Sequence, residues 1–371
     1  MVRRVFNFVY REVRGLHQAA YILALFAFGS QILAIVRDRL LAHNFGAGIE
    51  LDLYYAAFRI PDLLFVLFAS VLSVYVLLPF VNKASRNNGA EAGAAILSQV
   101  FTLFLVAYTV IAGVIMLAAP LLVAYLFPGF GEQTTELVLL MRILLLQPLL
   151  LGISSLCGVV TQMNHRFILF AISPLLYNIG IIIGVALLYP LFGLVGLVMG
   201  VVLGALGHLL VQVPFVRQST FSFSYVTKID WKLMGKVLSV SIPRALTLSV
   251  NQIVLLVLVG MASFMAVGSV STFQFAFNLQ SVPLAIIGMS YSVAAFPTLS
   301  YLFAKEDQKG FNLQLLTAFR HIIFWSIPII ALVVVLRAQI VRVLLGSGAF
   351  DWADTRLTAA LLAIFVLSLL A

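Results

Sequence analysis

Apolar segments long enough to cross a lipid bilayer recur along the whole chain, and several of them contain an arginine. Hydrophobic residues make up 63% of the 371 residues and charged residues only 9%, which is more apolar surface than a soluble domain of this length can bury. An arginine at bilayer depth costs about 3 kcal/mol or more, and it is usually retained because it faces a polar cavity, a partner or an anionic ligand. We therefore predict an all-α polytopic membrane protein with a polar interior.

The apolar segments predict about ten transmembrane helices, since each has at least roughly the 20 residues that a span needs. The predicted spans are 16–36, 52–80, 95–127, 136–162, 167–189, 193–216, 239–266, 270–302, 319–346 and 356–371. The last span reaches the C-terminus without a polar flank. This predicts that the chain is truncated within a longer protein.

The net charge of +9 is distributed as in a membrane protein, and we expect no nucleic-acid partner. Cations are concentrated in alternate loops, which is the positive-inside pattern. These loops hold Arg3, Arg4, Arg11, Arg14, Lys83, Arg86, Arg166, Arg217, Lys228, Lys232, Lys236, Lys305, Lys309 and Arg320. The pattern predicts a multi-pass protein of a cytoplasmic membrane whose N-terminus lies in the cytoplasm.

The longest polar stretch divides the chain into two predicted lobes. Residues 1–217 form a lobe of six spans, 218–236 a cytoplasmic linker, and 237–371 a lobe of four spans. Within the linker, Trp231 with its neighbouring lysines indicates either a short interfacial helix or a plain connection.

The two lobes resemble each other at an offset of roughly 220 residues. Phe45-Gly46-Ala47-Gly48 corresponds to Ala266-Val267-Gly268-Ser269, and Pro128-Gly129-Phe130-Gly131 corresponds to Ser347-Gly348-Ala349-Phe350. Because the first unit has an even number of spans, the repeats are parallel, as in two-lobed transporters. By comparison with the first lobe, the second lobe is expected to lack two spans.

No set of residues points to catalysis. The chain contains no G-x-S-x-G, H-E-x-x-H or Walker A sequence. Its one cysteine, Cys157, and its scattered histidines have no metal-site spacing. His208 lies deep in a span, where packing at a helix interface is favoured over a proton relay. We therefore expect a protein that is not an enzyme and needs no metal or other cofactor.

The densest polar cluster surrounds the first extracytoplasmic turn, residues 36–52, and continues to Asp62. Asp52 and Arg59 fall on one face of a helix, Arg59 can pair with Asp62 three residues on, and Pro61 predicts a hinge within the span. One interpretation is a cationic, hinged rim that handles an anionic headgroup. The other is an ion-paired cap that fixes the first two helices.

Further polar residues inside spans extend the candidate site. Arg142 and Arg244 lie near turn-breaking residues, whereas Arg337 and Arg342 can reach the membrane surface and carry little weight. Amides within spans commonly bond across helices. The predicted headgroup site consists of Arg37, Asp38, Asp52, Arg59, Arg142, Arg244, Asn251, Gln252 and Asn278.

Two stretches, RDRLLAHNFGAG at 37–48 and LDLYYAAFRIPDLL at 51–64, closely resemble the start of the MurJ/MviN family of lipid II flippases. Further matches include NHRF at 164–167, GSVS at 268–271 and GAFD at 348–351. The resemblance implies the fold of the MOP exporter superfamily, related to MATE transporters: two six-helix lobes around a central cavity, followed by two extra helices.

The resemblance also implies a function. Its substrate is an undecaprenyl-pyrophosphate-linked peptidoglycan precursor, lipid II, moved from the inner to the outer leaflet of the bacterial inner membrane by alternating access. Membrane lipids and cell-wall synthesis proteins are the implied partners. Coupling to the membrane potential or to a monovalent ion is the candidate energy source.

The chain departs from the family at several positions. The resemblance implies cavity arginines where this chain has Gln31, Phe65 and Asn278, an aspartate at Phe277 and an acidic residue at Ser70. Two alternatives therefore remain: an exporter of another lipid-linked glycan or amphiphile, and a transport-dead scaffold of cell-wall synthesis.

Overall fold

The computed structural model describes Glu12 and residues 16–370, and this part of the chain contains helices and no strand. Four cations of the positive-inside pattern lie outside the described residues: Arg3, Arg4, Arg11 and Arg14. The helices are α1 (Leu16–Phe45), α2 (Ile49–Ala57), α3 (Arg59–Val71), α4 (Val74–Asn88), α5 (Ala90–Leu126), α6 (Thr134–Leu144), α7 (Leu146–Met163), α8 (Phe167–Ile183), α9 (Tyr189–Leu210), α10 (Val213–Gln218), α11 (Trp231–Ala262), α12 (Ser269–Leu284), α13 (Ser290–Ala304), α14 (Gln308–Leu344) and α15 (Trp352–Phe365).

Within the described residues, nine helical segments are long and apolar enough to cross a membrane, and one of them folds back on itself as a helical hairpin. This segment, Phe167–Gln218, has 52 residues and reverses near Gly193, whose φ is 60°. Its two arms, α8 and α9, pack at glycines in antiparallel order: a Cβ at Gly180 would overlap Gly204, and a Cβ at Gly184 would lie 2.9 Å from the Cα of Gly200. With this hairpin counted as two spans, the described part of the chain has the predicted ten.

Replacing Gly204 with leucine is expected to destabilise the protein by about 2–3 kcal/mol, the usual cost of overpacking. The reason is that a Cβ at this position would overlap the carbonyl oxygen of Tyr177. The matched control is Gly113→Leu, because a Cβ there meets nothing within 4 Å. Thermal unfolding of both variants in detergent checks the prediction, and equal unfolding temperatures would contradict the close α8–α9 contact.

The described chain divides into two compact units. Unit 1 holds the chain up to Arg37 together with Leu53–Ala266, and unit 2 holds Asp38–Asp52 together with the chain from Val267 onward. The predicted linker therefore falls inside unit 1, where α11 packs against α3. The lobe boundaries proposed from the sequence, 1–217 and 237–371, stay a prediction.

The helical end of the predicted linker is continuous with the helix that follows it, and its position at the membrane interface stays a prediction. Residues 219–230 have no regular helix, and Trp231 is the first residue of the long helix α11. The Asp230 carboxylate accepts hydrogen bonds from the backbone N–H groups of Lys232 (3.0 Å) and Leu233 (3.1 Å). This cap starts the helix at the linker's end, and the helix then continues into the span.

The core of unit 1 lies among α3, α4, α5, α7 and α11. Phe68, Phe104 and Tyr108 pack edge-on or tilted, with centroids 5.4–5.6 Å apart. The Tyr108 hydroxyl donates to the backbone oxygen of Leu145. A buried tyrosine needs such a partner, and this one ties α5 to the junction of α6 and α7.

A polar network joins α7 to α9 at His208. The Ser154 Oγ lies 2.7 Å from the His208 Nδ1, and the Gln212 Nε2 donates to the same Oγ (2.8 Å). The geometry agrees with the helix-interface role favoured for His208.

The helices of unit 2 repeat the pattern of the first lobe. Helices α5 and α14 each have 37 residues. Glycines with positive φ precede the corresponding helices: Gly46 and Gly268 before α2 and α12, and Gly131 and Gly348 before α6 and α15. All four glycines lie within the segments matched in the sequence repeat, although they are not matched to one another residue by residue.

Candidate functional site

Asp52 caps the N-terminus of α12 in unit 2. Its Oδ2 accepts from the backbone N–H of Gly268 (2.6 Å) and its Oδ1 from that of Ser271 (2.7 Å), and the side chain is 3% exposed. A carboxylate here satisfies N–H groups that the helix leaves open, and it faces the positive end of the helix dipole. Both carboxylate oxygens therefore serve the fold.

The rest of the segment 38–52 contacts two further helix ends of unit 2. The Arg39 guanidinium donates to the backbone oxygen of Val343 (2.6 Å) near the C-terminus of α14, where a cation complements the dipole. The backbone N–H of Ala47 donates to the Asp354 Oδ2 (3.1 Å) in the first turn of α15. Gly46 is needed at φ 60°, because a Cβ there would lie 2.7 Å from the Ala349 oxygen. For residues 39–52 the geometry favours a structural cap.

Asp38 and Asn278, two predicted site residues, meet in unit 2. The Asn278 Nδ2 donates to the Asp38 Oδ2 (2.9 Å), and the Gln274 Nε2 donates to the Asn278 Oδ1 (2.7 Å). An amide thus contacts this carboxylate at the position where the resemblance implies an arginine. The neighbouring Phe277 belongs to an aromatic group with Phe273 and Phe365.

Arg37 lies in unit 1, where an amide orients it. The Arg37 Nη1 donates to the Asn178 Oδ1 (3.0 Å), and the Asn178 Nδ2 donates to the Ser30 Oγ (3.2 Å). Helices α1 and α8 are thereby joined at membrane depth. The Asn178 amide oxygen thus fixes the direction of the Arg37 guanidinium.

Arg59 and Asp62 form a second polar group in unit 1. Arg59 is 4% exposed, and its Nε donates to the backbone oxygen of Tyr55 (3.1 Å). The opposite charges of Arg59 and Asp62 attract each other, and the Gln147 side chain hydrogen-bonds to the Asp62 carboxylate. Gln147 is 3% exposed, and its Oε1 has no hydrogen-bond partner in the described structure.

Tyr177 lies close enough to interact electrostatically with both Asp62 and Arg37. We name the whole set the unit 1 polar cluster: Arg37, Arg59, Asp62, Gln147, Tyr177 and Asn178. Gln147, Tyr177 and Asn178 were not among the site residues predicted from the sequence. Their only signal is a polar group within an apolar segment.

Pro61 lies in the first turn of α3, directly after an interruption of the span at Phe58. Proline has no backbone N–H, so Pro61 cannot donate a hydrogen bond to the carbonyl of Ala57, four residues earlier. Ala57 is the last residue of α2. The break expected from the sequence is therefore present, while the hinge motion stays a prediction.

The other predicted residues have contacts elsewhere in unit 1. Arg142 donates to the Met116 oxygen (3.0 Å) and lines an open groove of about 800 Å³ with Glu132 and Glu136. The Arg244 guanidinium lies 5.2 Å from the ring centroid of Tyr75. On α11, Asn251 is exposed and Gln252 half-buried. Their role in headgroup binding stays a prediction.

The chain has the fold that MurJ shares with MATE transporters of the MOP superfamily. The chain superposes on the inward-facing conformation of a multidrug resistance MATE family transporter of the MOP superfamily with a TM-score of 0.72 at 16% identity, covering 91% of this chain and 78% of that chain. At this identity the likeness shows the fold alone. A lipid II flippase MurJ in the inward closed conformation gives a TM-score of 0.80 at 26% identity, covering 94% of this chain and 72% of that one.

The family follows from the sequence comparison. The family described as lipid II flippase MurJ matches residues 41–371, so the chain belongs to this family. A probable lipid II flippase MurJ of Buchnera aphidicola (subsp. Acyrthosiphon pisum) is 28% identical over 362 residues, covering 92% of this chain and 68% of that protein. One of Rhizobium tropici is 28% identical over 353 residues, covering 92% of this chain and 66% of that protein.

The chain thus spans about two thirds of the length of these curated relatives. It is a multi-pass membrane protein of a transporter family rather than an enzyme family. The predicted fold class and family are confirmed.

Proposed function

We propose that the protein moves lipid II, the undecaprenyl-pyrophosphate-linked peptidoglycan precursor, from the inner to the outer leaflet of the bacterial inner membrane by alternating access. Family membership supports the substrate class. The observation that carries the proposal is the unit 1 polar cluster, which holds both Arg37 and Arg59 within apolar spans.

The chemistry of the cluster suits a pyrophosphate. Guanidinium groups bind phosphate oxygens in a planar, often bidentate fork, and the contact gains strength where water is excluded. Asn178 orients the Arg37 guanidinium through a hydrogen bond, and Asp62 attracts the Arg59 guanidinium. The proposal assigns Arg37 the main headgroup contact and Arg59 a second one that competes with Asp62.

The orientation of the protein in the membrane and the energy source of transport are part of the proposed function. The charge pattern supports a cytoplasmic N-terminus. Coupling to the membrane potential or to a monovalent ion, and contacts with cell-wall synthesis proteins, belong to the same proposal. Imposing a potential or a sodium gradient across vesicles separates the two energy sources.

The direct test uses the full-length protein in proteoliposomes with fluorescent lipid II. Cleavage by an added membrane-impermeant pyrophosphate hydrolase reports how much lipid has become accessible. We expect accessible lipid II to rise with the protein and not with Arg37→Ala, with Lys83→Ala as a control that removes an exposed cation. Equal rates with and without the protein would contradict the proposal.

One observation favours a second candidate, the export of another lipid-linked glycan. Asn278 stands where the resemblance implies an arginine, and its amide donates to Asp38, which gives unit 2 one cation fewer than the family resemblance implies. A headgroup with fewer negative charges would suit this arrangement. If the same assay detects no transport, the remaining candidate is a scaffold of cell-wall synthesis.

Replacing Asn278 with arginine separates these substrates. If the cargo carries a pyrophosphate, the added guanidinium should raise lipid II affinity about tenfold, since a charged hydrogen bond contributes roughly 1.5–3 kcal/mol. The control is Asn312→Arg, which adds the same charge at an exposed amide. Weaker binding of lipid II to Asn278→Arg than to the unchanged protein would favour the other glycan.

A further inference from the structure

The linker residues 219–230, which we name the strap, are fixed to α5 although they form no helix. The backbone N–H of Ser224 donates to the Ser98 Oγ (3.2 Å), that of Val226 to the Thr102 Oγ1 (2.9 Å), and that of Asp230 to the Gln99 Oε1 (2.8 Å). Ser98 and Thr102 are buried. The strap is therefore held by polar side chains on successive turns of one helix.

The strap and the first turns of α11 bury one apolar face. Phe221, Phe223, Ile229 and Leu233 pack against the unit 1 core, and the ring of Phe223 lies 5.2 Å from that of Phe101. Hydrogen bonds and packing thus fix the same segment from one side. The side chains on the opposite face of the segment are therefore held in fixed positions.

The opposite side is basic and aromatic. Lys228, Lys232 and Lys236 are exposed, and Trp231 is 67% exposed. Lys232 and Lys236 are four residues apart on α11 and share one face. The nearby Asp230 carboxylate is engaged as the helix cap. We name Lys228, Trp231, Lys232 and Lys236 the basic patch.

The basic patch lies where a span begins, because α11 (Trp231–Ala262) is a candidate membrane span. Tryptophan is enriched at the membrane–water interface, where its ring sits at headgroup depth. Lysines just outside a span are attracted to anionic lipids. The patch therefore combines the two side chains that hold a negatively charged headgroup at an interface.

We infer that the basic patch is a binding site for an anionic phospholipid of the surrounding bilayer. The lysines contact its phosphate, and Trp231 packs beside the upper acyl chain. The site shares no residue with the unit 1 polar cluster. Its occupant stays in its leaflet and is not the transported lipid.

The test compares two double variants of the full-length protein by native mass spectrometry with added phosphatidylglycerol or phosphatidylcholine. Lys232→Gln/Lys236→Gln should lower phosphatidylglycerol affinity about tenfold and leave phosphatidylcholine unchanged. Lys305→Gln/Lys309→Gln is the matched control, since it removes two lysines four residues apart near another helix start. Here we expect phosphatidylglycerol affinity close to that of the unchanged protein.

Competition identifies the lipid that occupies the site. A patch that binds bilayer phospholipid keeps its phosphatidylglycerol when inorganic phosphate is added. Undecaprenyl pyrophosphate that displaces phosphatidylglycerol from the unchanged protein but not from Lys232→Gln/Lys236→Gln would overturn the assignment in favour of the substrate. Equal losses in the two double variants would show that the basic patch is no discrete site.

Discussion

Asp52→Ala is expected to lower the stability of the protein by about 3 kcal/mol and to abolish transport. The substitution leaves the buried backbone N–H groups of Gly268 and Ser271 without their acceptor, and each unsatisfied buried group costs roughly 1–3 kcal/mol. It also removes a negative charge from the positive end of the α12 dipole. Thermal unfolding in detergent, with transport measured in parallel, checks the prediction.

The chain supplies a matched control for this cap. Asp307 accepts a hydrogen bond from the N–H of Gly310 (2.9 Å) at the start of α14, but at an exposed position. Asp307→Ala should therefore cost about 1 kcal/mol, as for ordinary helix caps. If Asp52→Ala unfolded at the same temperature as Asp307→Ala and still lost transport, Asp52 would have to act on the substrate rather than as a cap.

Arg59→Leu is expected to lose both stability and transport, and adding Asp62→Leu should recover only the stability. Removing one charge of a buried interacting pair costs roughly 3–5 kcal/mol, largely because the other charge is left behind, whereas replacing both by apolar groups is often neutral. Transport should stay about tenfold to a hundredfold low in the double variant, because it still lacks a phosphate-binding guanidinium.

Comparing the single and double variants separates two roles of Arg59. If Arg59 only balanced Asp62, the double variant would transport normally, which would contradict a headgroup role. Arg59→Lys adds a graded control, since lysine keeps the charge but lacks the planar fork. We expect it to unfold like the unchanged protein and to transport at an intermediate rate.

Much of the fold could be predicted because bilayer physics acts on the sequence directly. Segment length and apolar composition predicted the spans, whereas the orientation read from loop charge stays a prediction. The hairpin at Gly193 was predicted as two spans, although its helical segment runs on as Phe167–Gln218. The attachment of the strap to α5 was not predicted, because its N–H groups bond to α5 side chains, and these long-range partners have no local sequence signal.

The candidate site was harder to predict because its residues are assembled by packing. The cluster around 36–52 was recognised, yet the sequence could not show that Asp52 and Arg39 bond to helix ends more than 200 residues away in the chain. In the same way, Arg37 was predicted as a site residue, but its partner Asn178 lies 141 residues later in the chain. Charge pattern identifies such residues as important, and tertiary contacts decide which role they have.

The most direct test is a replacement experiment in bacteria depleted of their own lipid II flippase. The full-length protein is expressed, its presence in the membrane is verified, and the precursor that reaches the outer leaflet is measured. We expect translocation to be restored by the protein and lost with Arg37→Ala. Verified membrane expression without any translocated precursor would contradict lipid II as the cargo.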